Sequence, residues 1–124
     1  LMITGKNKLP FVNENLKMED ALKILRHKNL GFIIVRNSKK ITTGILTDGD
    51  LKRKIKKNQK LHNLLVKNIM TPRPVSISQD MLATKALSIM QTNKITALCV
   101  NNNKSKYKTT GVLNIHNILG ANIQ

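Results

Sequence analysis

A chain of 124 residues with 40% apolar content can bury one domain-sized core. With no Trp, one Tyr and two Phe, that core must be aliphatic. Lys and Arg outnumber Asp and Glu by 22 to 6, a formal net charge of +16 that would suit a nucleic acid or another acidic partner. The excess is mostly Lys, spread along the chain beside many Asn and Ile, all residues with AT-rich codons. Aromatics for base stacking are nearly absent, so base composition accounts for the charge more simply than nucleic-acid binding does. The longest apolar runs, such as residues 32–35 and 69–70, fall far short of the ~20 residues of a membrane helix. The start lacks the basic head and apolar run of a signal peptide. One cysteine, Cys99, sits inside the apolar run 96–100 and reads as core filler in a reducing, cytoplasmic setting.

Taken in order, the chain opens on a short lead-in, residues 1–4, with an extended segment at 9–12. An amphipathic helix follows, because Met18, Ala21, Leu22 and Leu25 recur at i, i+3, i+4 and i+7. Glu19 and Asp20 fall in its first turn, where the helix dipole favours negative charge. Two β-rich runs, 31–36 and 40–47, are joined by Asn37, Ser38 and Lys39, residues typical of a hairpin loop. A short helix over 48–57 ends this half. In the basic run 51–60, Leu51 and Ile55 at i and i+4 can face a core while the cations face water, so a solvated helix face explains the run better than an anion site.

The second half repeats the first. A lead-in at 64–70 and an extended segment at 74–77 precede a helix with Ala83, Ala86, Leu87 and Met90 on one stripe. Strand-like runs follow at 96–101 and 108–114, with a short closing helix at 115–121. Ala21-Leu22 falls on Ala86-Leu87, Ile24 on Ile89 and Val35 on Val100; after a two-residue insertion, Thr42-Thr-Gly-Ile-Leu46 falls on Thr109-Thr-Gly-Val-Leu113. The expected fold is α/β (α+β): two β-α-β-β-α repeats, 1–60 and 61–124, packed as a pseudo-twofold pair. A half of about 50 residues buries too little surface to be stable alone, so the two are expected to share a core. The first lead-in is shorter than the second and no initiator Met stands at position 1, so more protein is expected upstream.

The repeat, the Ile69-Met-Thr-Pro72 lead-in, the Ala86-Leu87 helix and above all Gly44-Ile-Leu-Thr-Asp-Gly-Asp-Leu51 resemble the cystathionine β-synthase (CBS) domain pair over nearly the whole chain. Thr47-Asp-Gly-Asp-Leu-Lys-Arg53, Lys94-Ile-Thr-Ala-Leu98 and Gly111-Val-Leu-Asn-Ile-His-Asn-Ile-Leu119 are more narrowly similar to the C-terminal pair of bacterial arabinose-5-phosphate isomerases. That resemblance implies an upstream sugar-isomerase (SIS) domain that does the chemistry, with a product that feeds Kdo and lipopolysaccharide synthesis. It also implies a regulatory role for this chain, a homodimer through the CBS helices, and an effector such as an adenosine nucleotide or CMP-Kdo held in clefts between the halves.

The candidate site follows from the chemistry such a ligand requires. A ribose diol wants a carboxylate that accepts from both hydroxyls, and Asp50 is the matching position. A phosphate wants N–H groups at a helix start, a hydroxyl and a cation; Thr47 opens the helix, and Arg53 shares a face with Asp50. Strand backbone at Gly31, Phe32 and Ile33, and at Thr4 and Gly5, could hold a base. Thr47-x-x-Asp50 is equally the spacing of a capping box, which needs no ligand, and both roles can hold at once. In the second copy Asn114 replaces Thr47 and Asn117 replaces Asp50, so a second site there, with His116 between them, is expected to be weaker or absent.

Catalysis by this chain is not supported. His27, His62 and His116 are scattered, no metal-ligand spacing appears, and Asp48 and Asp50 diverge at a helix start. No Ser elbow, Walker loop or Gly-x-Gly-x-x-Gly is present. Two other roles stay open on this reading: a basic nucleic-acid-binding module, and a purely structural dimerisation module.

Overall fold

The computed structural model describes residues 2–4, 9–28, 31–55, 60–103, 105 and 107–115. They form a mixed α/β fold with two four-stranded sheets, in two compact units: residues 10–74, and residues 1–9 with 75–124.

The first unit begins with β2 (Phe11–Asn13), after the strand β1 (Met2–Thr4) that belongs to the other sheet. Helix α1 (Met18–Lys28) then carries the chain to β3 (Phe32–Arg36), which runs parallel to β2. A hairpin leads to β4 (Thr42–Thr47), antiparallel to β3 with Phe32 opposite Thr47. Asn37 organises the hairpin loop: its side-chain Oδ1 accepts from the N–H groups of Lys39 and Ile41. Helix α2 (Asp48–Lys54) starts directly from the end of β4. It ends with Ile55 as its C-cap, three residues short of the expected helix; residues 56–59 lie outside the described set. A short 3₁₀ turn (Leu61–Asn63) and α3 (Val66–Ile69) lead to β5 (Thr71–Pro72).

The core of this unit is aliphatic. Met18, Ala21 and Leu25 from α1 meet Ile33, Val35, Leu46, Val66 and Ile69. Leu51 and Ile55 pack against this cluster while Lys52 and Arg53 are exposed, as the i, i+4 spacing requires. Full burial of such side chains is worth roughly 1.5–3 kcal/mol each.

The second unit repeats the plan. Strand β6 (Ser76–Ser78), helix α4 (Ala83–Asn93), β7 (Ala97–Asn101) and β8 (Thr109–Asn114) follow one another. β6 and β7 are parallel, and β7 and β8 are antiparallel. Ile77, Ala86, Met90, Leu98, Val100 and Leu113 make its core cluster. Both hairpins shift register at the same place, between Val35 and Arg36 in one copy and Val100 and Asn101 in the other. The expected helix at 115–121 is described only at Ile115.

The strand orders reveal an exchange that the repeat boundary at 60/61 does not mark. Sheet orders are β2-β3-β4-β5 and β1-β8-β7-β6. Each repeat's lead-in therefore closes the edge of the other repeat's sheet. β5 pairs with β4, setting Pro72 opposite Gly44 and Thr71 opposite Ile45; β1 pairs with β8, setting Thr4 opposite Gly111 and Ile3 opposite Val112. Pro72 is tolerated because β5 is an edge strand and one side of it needs no donor. Gly44 is what lets β5 approach: a Cβ there would overlap Met70 Sδ and lie 3.0 Å from the Thr71 carbonyl oxygen.

Candidate functional site

The end of β4 and the first turn of α2 place Thr47 and Asp50 face to face. Thr47 has extended backbone (φ −118°, ψ 164°) and serves as N-cap. Its Oγ1 accepts from the Asp50 N–H at 3.1 Å, and its own N–H donates to Asp50 Oδ2 at 3.0 Å. The capping box read from the spacing is therefore formed in full.

Asp50 is more than a cap. Only 2% of it is exposed, and it is the one buried charged residue among those described. Burying an ionised carboxylate is costly unless it is paired and hydrogen-bonded. Here Oδ1 accepts from Arg53 Nη2 at 2.8 Å and from Thr71 Oγ1 at 2.9 Å. Lys54 Nζ lies 3.9 Å from the same oxygen and donates to Thr71 Oγ1 at 3.2 Å and to the Met70 carbonyl at 3.1 Å. Arg53 reaches the pair from the solvent side, with 68% of its side chain exposed. Thr71, by contrast, lies on strand β5, paired with Ile45.

Gly31 closes the other side of this corner. Its φ of +77° is a left-handed conformation that favours glycine, and its carbonyl accepts from the Asp48 N–H at 3.1 Å. Phe32, opposite Thr47 in the β3–β4 ladder, and Ile33 beside it are buried. Gly31, Phe32, Ile33, Thr47, Asp50 and Arg53 thus lie in one unit around the β4–α2 junction. The N–H groups of Asp48 and Asp50 are already engaged, by the Gly31 carbonyl and Thr47 Oγ1. Two of the helix-start N–H groups expected to cradle a phosphate are thus engaged within the protein.

Thr4 is on β1 in the other unit, opposite Gly111. Asn114 ends β8 opposite Ala97, the register position that Thr47 holds opposite Phe32. Gly5, His116 and Asn117 lie outside the described residues.

Sequence reasoning missed Thr71 and Lys54. Thr71 is 21 residues from Asp50, and no local pattern announces that β5 folds back onto β4. The signal that could have found it is Gly44, a small residue in a strand where close backbone approach was needed. Among the described residues no group of His, Cys, Asp or Glu could hold a metal ion, and no helix is long and apolar enough to cross a membrane.

Comparison with known proteins agrees with this architecture. The family model "CBS domain" matches twice, at residues 2–57 and 66–123. Arabinose 5-phosphate isomerase KdsD of Salmonella typhi is 32% identical over 123 residues; the match takes in 99% of this chain and 36% of that protein. The chain thus spans about a third of the length of such relatives. The solved structure of CBSX2 in complex with AMP superposes with a TM-score of 0.77 at 23% identity, covering 98% of this chain and 92% of that one. The CBS domain of a bacterial CNNM/CorC family Mg2+ transporter, solved in complex with ATP, gives a TM-score of 0.79 at 17% identity, over 98% of this chain and 84% of that one. With both copies matched and the two-sheet fold formed, the chain belongs to the CBS domain family, as a tandem pair.

Proposed function

We propose that this chain is the ligand-sensing module of a sugar-phosphate isomerase, and that its first repeat binds a nucleoside phosphate or nucleotide-sugar. The observation that carries the reading is the buried Asp50 carboxylate at the β4–α2 junction, covered toward solvent by a mostly exposed Arg53. An arriving phosphate draws Arg53 away, since a guanidinium pairs well with phosphate oxygens. The ribose diol then takes the place of Arg53 on Asp50, while strand backbone at Gly31, Phe32 and Ile33 lies beside the base.

The AMP and ATP complexes of similarly folded CBS chains support an adenosine nucleotide as effector. Similarity to KdsD supports a parent that interconverts D-arabinose 5-phosphate and ribulose 5-phosphate in the cytoplasm on the route to Kdo, which makes CMP-Kdo the alternative effector. In that parent the isomerase domain lies upstream, catalysis belongs to it, and the CBS helices form a homodimer. The effector regulates by binding one conformation better than another.

A thermal-shift series over AMP, ATP and CMP-Kdo tests the reading. A ligand at ~100 times its dissociation constant stabilises by about 2.7 kcal/mol. At least one of the three is expected to raise the melting temperature of the wild-type chain, and to raise that of Asp50→Asn clearly less. No shift with any of them would leave a structural dimerisation module as the better account. The +16 charge favours one other reading, a nucleic-acid partner; tight, steeply salt-dependent binding to generic DNA or RNA would favour it.

A further inference from the structure

We infer that Thr71, supplied by the exchanged strand β5, is a positioning residue for ligand recognition by Asp50, an inference that rests on the proposed nucleotide site. A carboxylate has about four lone-pair positions. In Asp50, Oδ2 accepts from the Thr47 N–H; Oδ1 accepts from Arg53 and from Thr71. One position on Oδ2 is left over. When Arg53 leaves, one position on Oδ1 opens as well. A vicinal diol needs one acceptor on each oxygen, and that is what the remaining two donors leave available.

Thr47 and Thr71 hold the carboxylate from opposite oxygens, so its plane stays fixed after Arg53 has gone. Thr71 can do this because it is itself held. Its backbone lies opposite Ile45 in the β4–β5 ladder, and its Oγ1 also accepts from Lys54 Nζ at 3.2 Å. Lys54 in turn ties α2 to the Met70 carbonyl at 3.1 Å, one residue before Thr71.

The second repeat provides an internal contrast. Matching Gly111 with Gly44 sets Ile3 where Thr71 stands, because Ile3 pairs with Val112 as Thr71 pairs with Ile45. By the same sequence offset Asn117 matches Asp50 and Gly120 matches Arg53. The copy without the acid also lacks the hydroxyl and the guanidinium. The three residues occur as a set, in keeping with a role that needs all three.

The test compares AMP with 2′-deoxy-AMP by calorimetric titration of the whole chain. The wild-type chain is expected to prefer AMP by about tenfold or more, the usual size of one hydrogen bond to a charged group. Thr71→Val, nearly isosteric, should bring that ratio close to one, and Thr71→Ser should restore it. Melting temperatures are measured alongside. If Thr71→Val melts lower but keeps the AMP preference, Thr71 merely satisfies a buried carboxylate and the inference is wrong. If Asp50→Asn keeps wild-type AMP affinity, or the wild-type chain binds neither nucleotide, the proposed site fails and takes this inference with it.

Discussion

Burial decides what the one thiol of this chain can do. Cys99 is 1% exposed in the middle of β7, and removal from water pushes its pKa up from 9.0 to about 11, against a smaller lowering by a hydrogen bond with Thr109. The reactive thiolate is scarce at neutral pH, in keeping with a buried packing role. The sign of its effect on stability follows. Below pH 9 the thiol is protonated whether the chain is folded or not, and the difference has no effect. Between pH 9 and about 11 only the unfolded thiol ionises, so stability falls across that window, by at most about 3 kcal/mol. Denaturant melts of the wild-type chain and Cys99→Ala from pH 8 to 11 check this. The wild type should lose stability faster, and parallel slopes would contradict the assignment. Asp50 shows how far residue-scale reading reaches from sequence. Its capping partner is three residues away and was legible from spacing; its partner Thr71 is 21 residues away and was not.

At the scale of elements, two backbone positions carry specific consequences. Gly44 admits β5, and Gly44→Ala should destabilise the chain by about 1–3 kcal/mol through overlap with Met70 and the Thr71 carbonyl. Because Thr71 rides on β5, this variant should also weaken any ligand that depends on Asp50. Equilibrium denaturation gives the first effect, and unchanged stability would show that β5 can shift freely. Lys94 terminates α4 in the left-handed region (φ 56°, ψ 44°), with its N–H donating to the Gln91 and Met90 carbonyls. A left-handed residue with a Cβ costs roughly 1–2 kcal/mol, and glycine's added freedom in the unfolded chain offsets part of the relief. Lys94→Gly should therefore raise stability by up to about 1 kcal/mol in the same assay, and a loss would contradict this account of the cap. Helix and strand identity was legible because the 3.6-residue stripe of Met18, Ala21, Leu22 and Leu25 and the β-branched run of β3 are local signals. The exchange of β1 and β5 between sheets was not legible. Met70-Thr71-Pro72 reads locally as the start of the second repeat, and only the distant glycine on β4 gives it a place.

At the scale of the molecule, an internal repeat supplies one framework and sequence divergence makes the copies unequal. Each four-stranded sheet takes three strands from one copy and its edge strand from the other, each hairpin shifts register at the same place, and each unit has an aliphatic cluster. The first copy keeps Thr47, Asp50 and Arg53, with Thr71 joining them from β5. The second has Asn114, Asn117 and Gly120 at the corresponding places. On the proposed function the chain has one carboxylate-dependent site. Its most direct test is calorimetric titration of AMP into the wild-type chain and into Asp50→Asn, an exchange that keeps side-chain shape and an acceptor for the Thr47 N–H. Saturable binding with one site per wild-type chain is expected, with an affinity reduced by about tenfold or more in the variant. Equal affinity in the two chains, or two equivalent sites per wild-type chain, would contradict it.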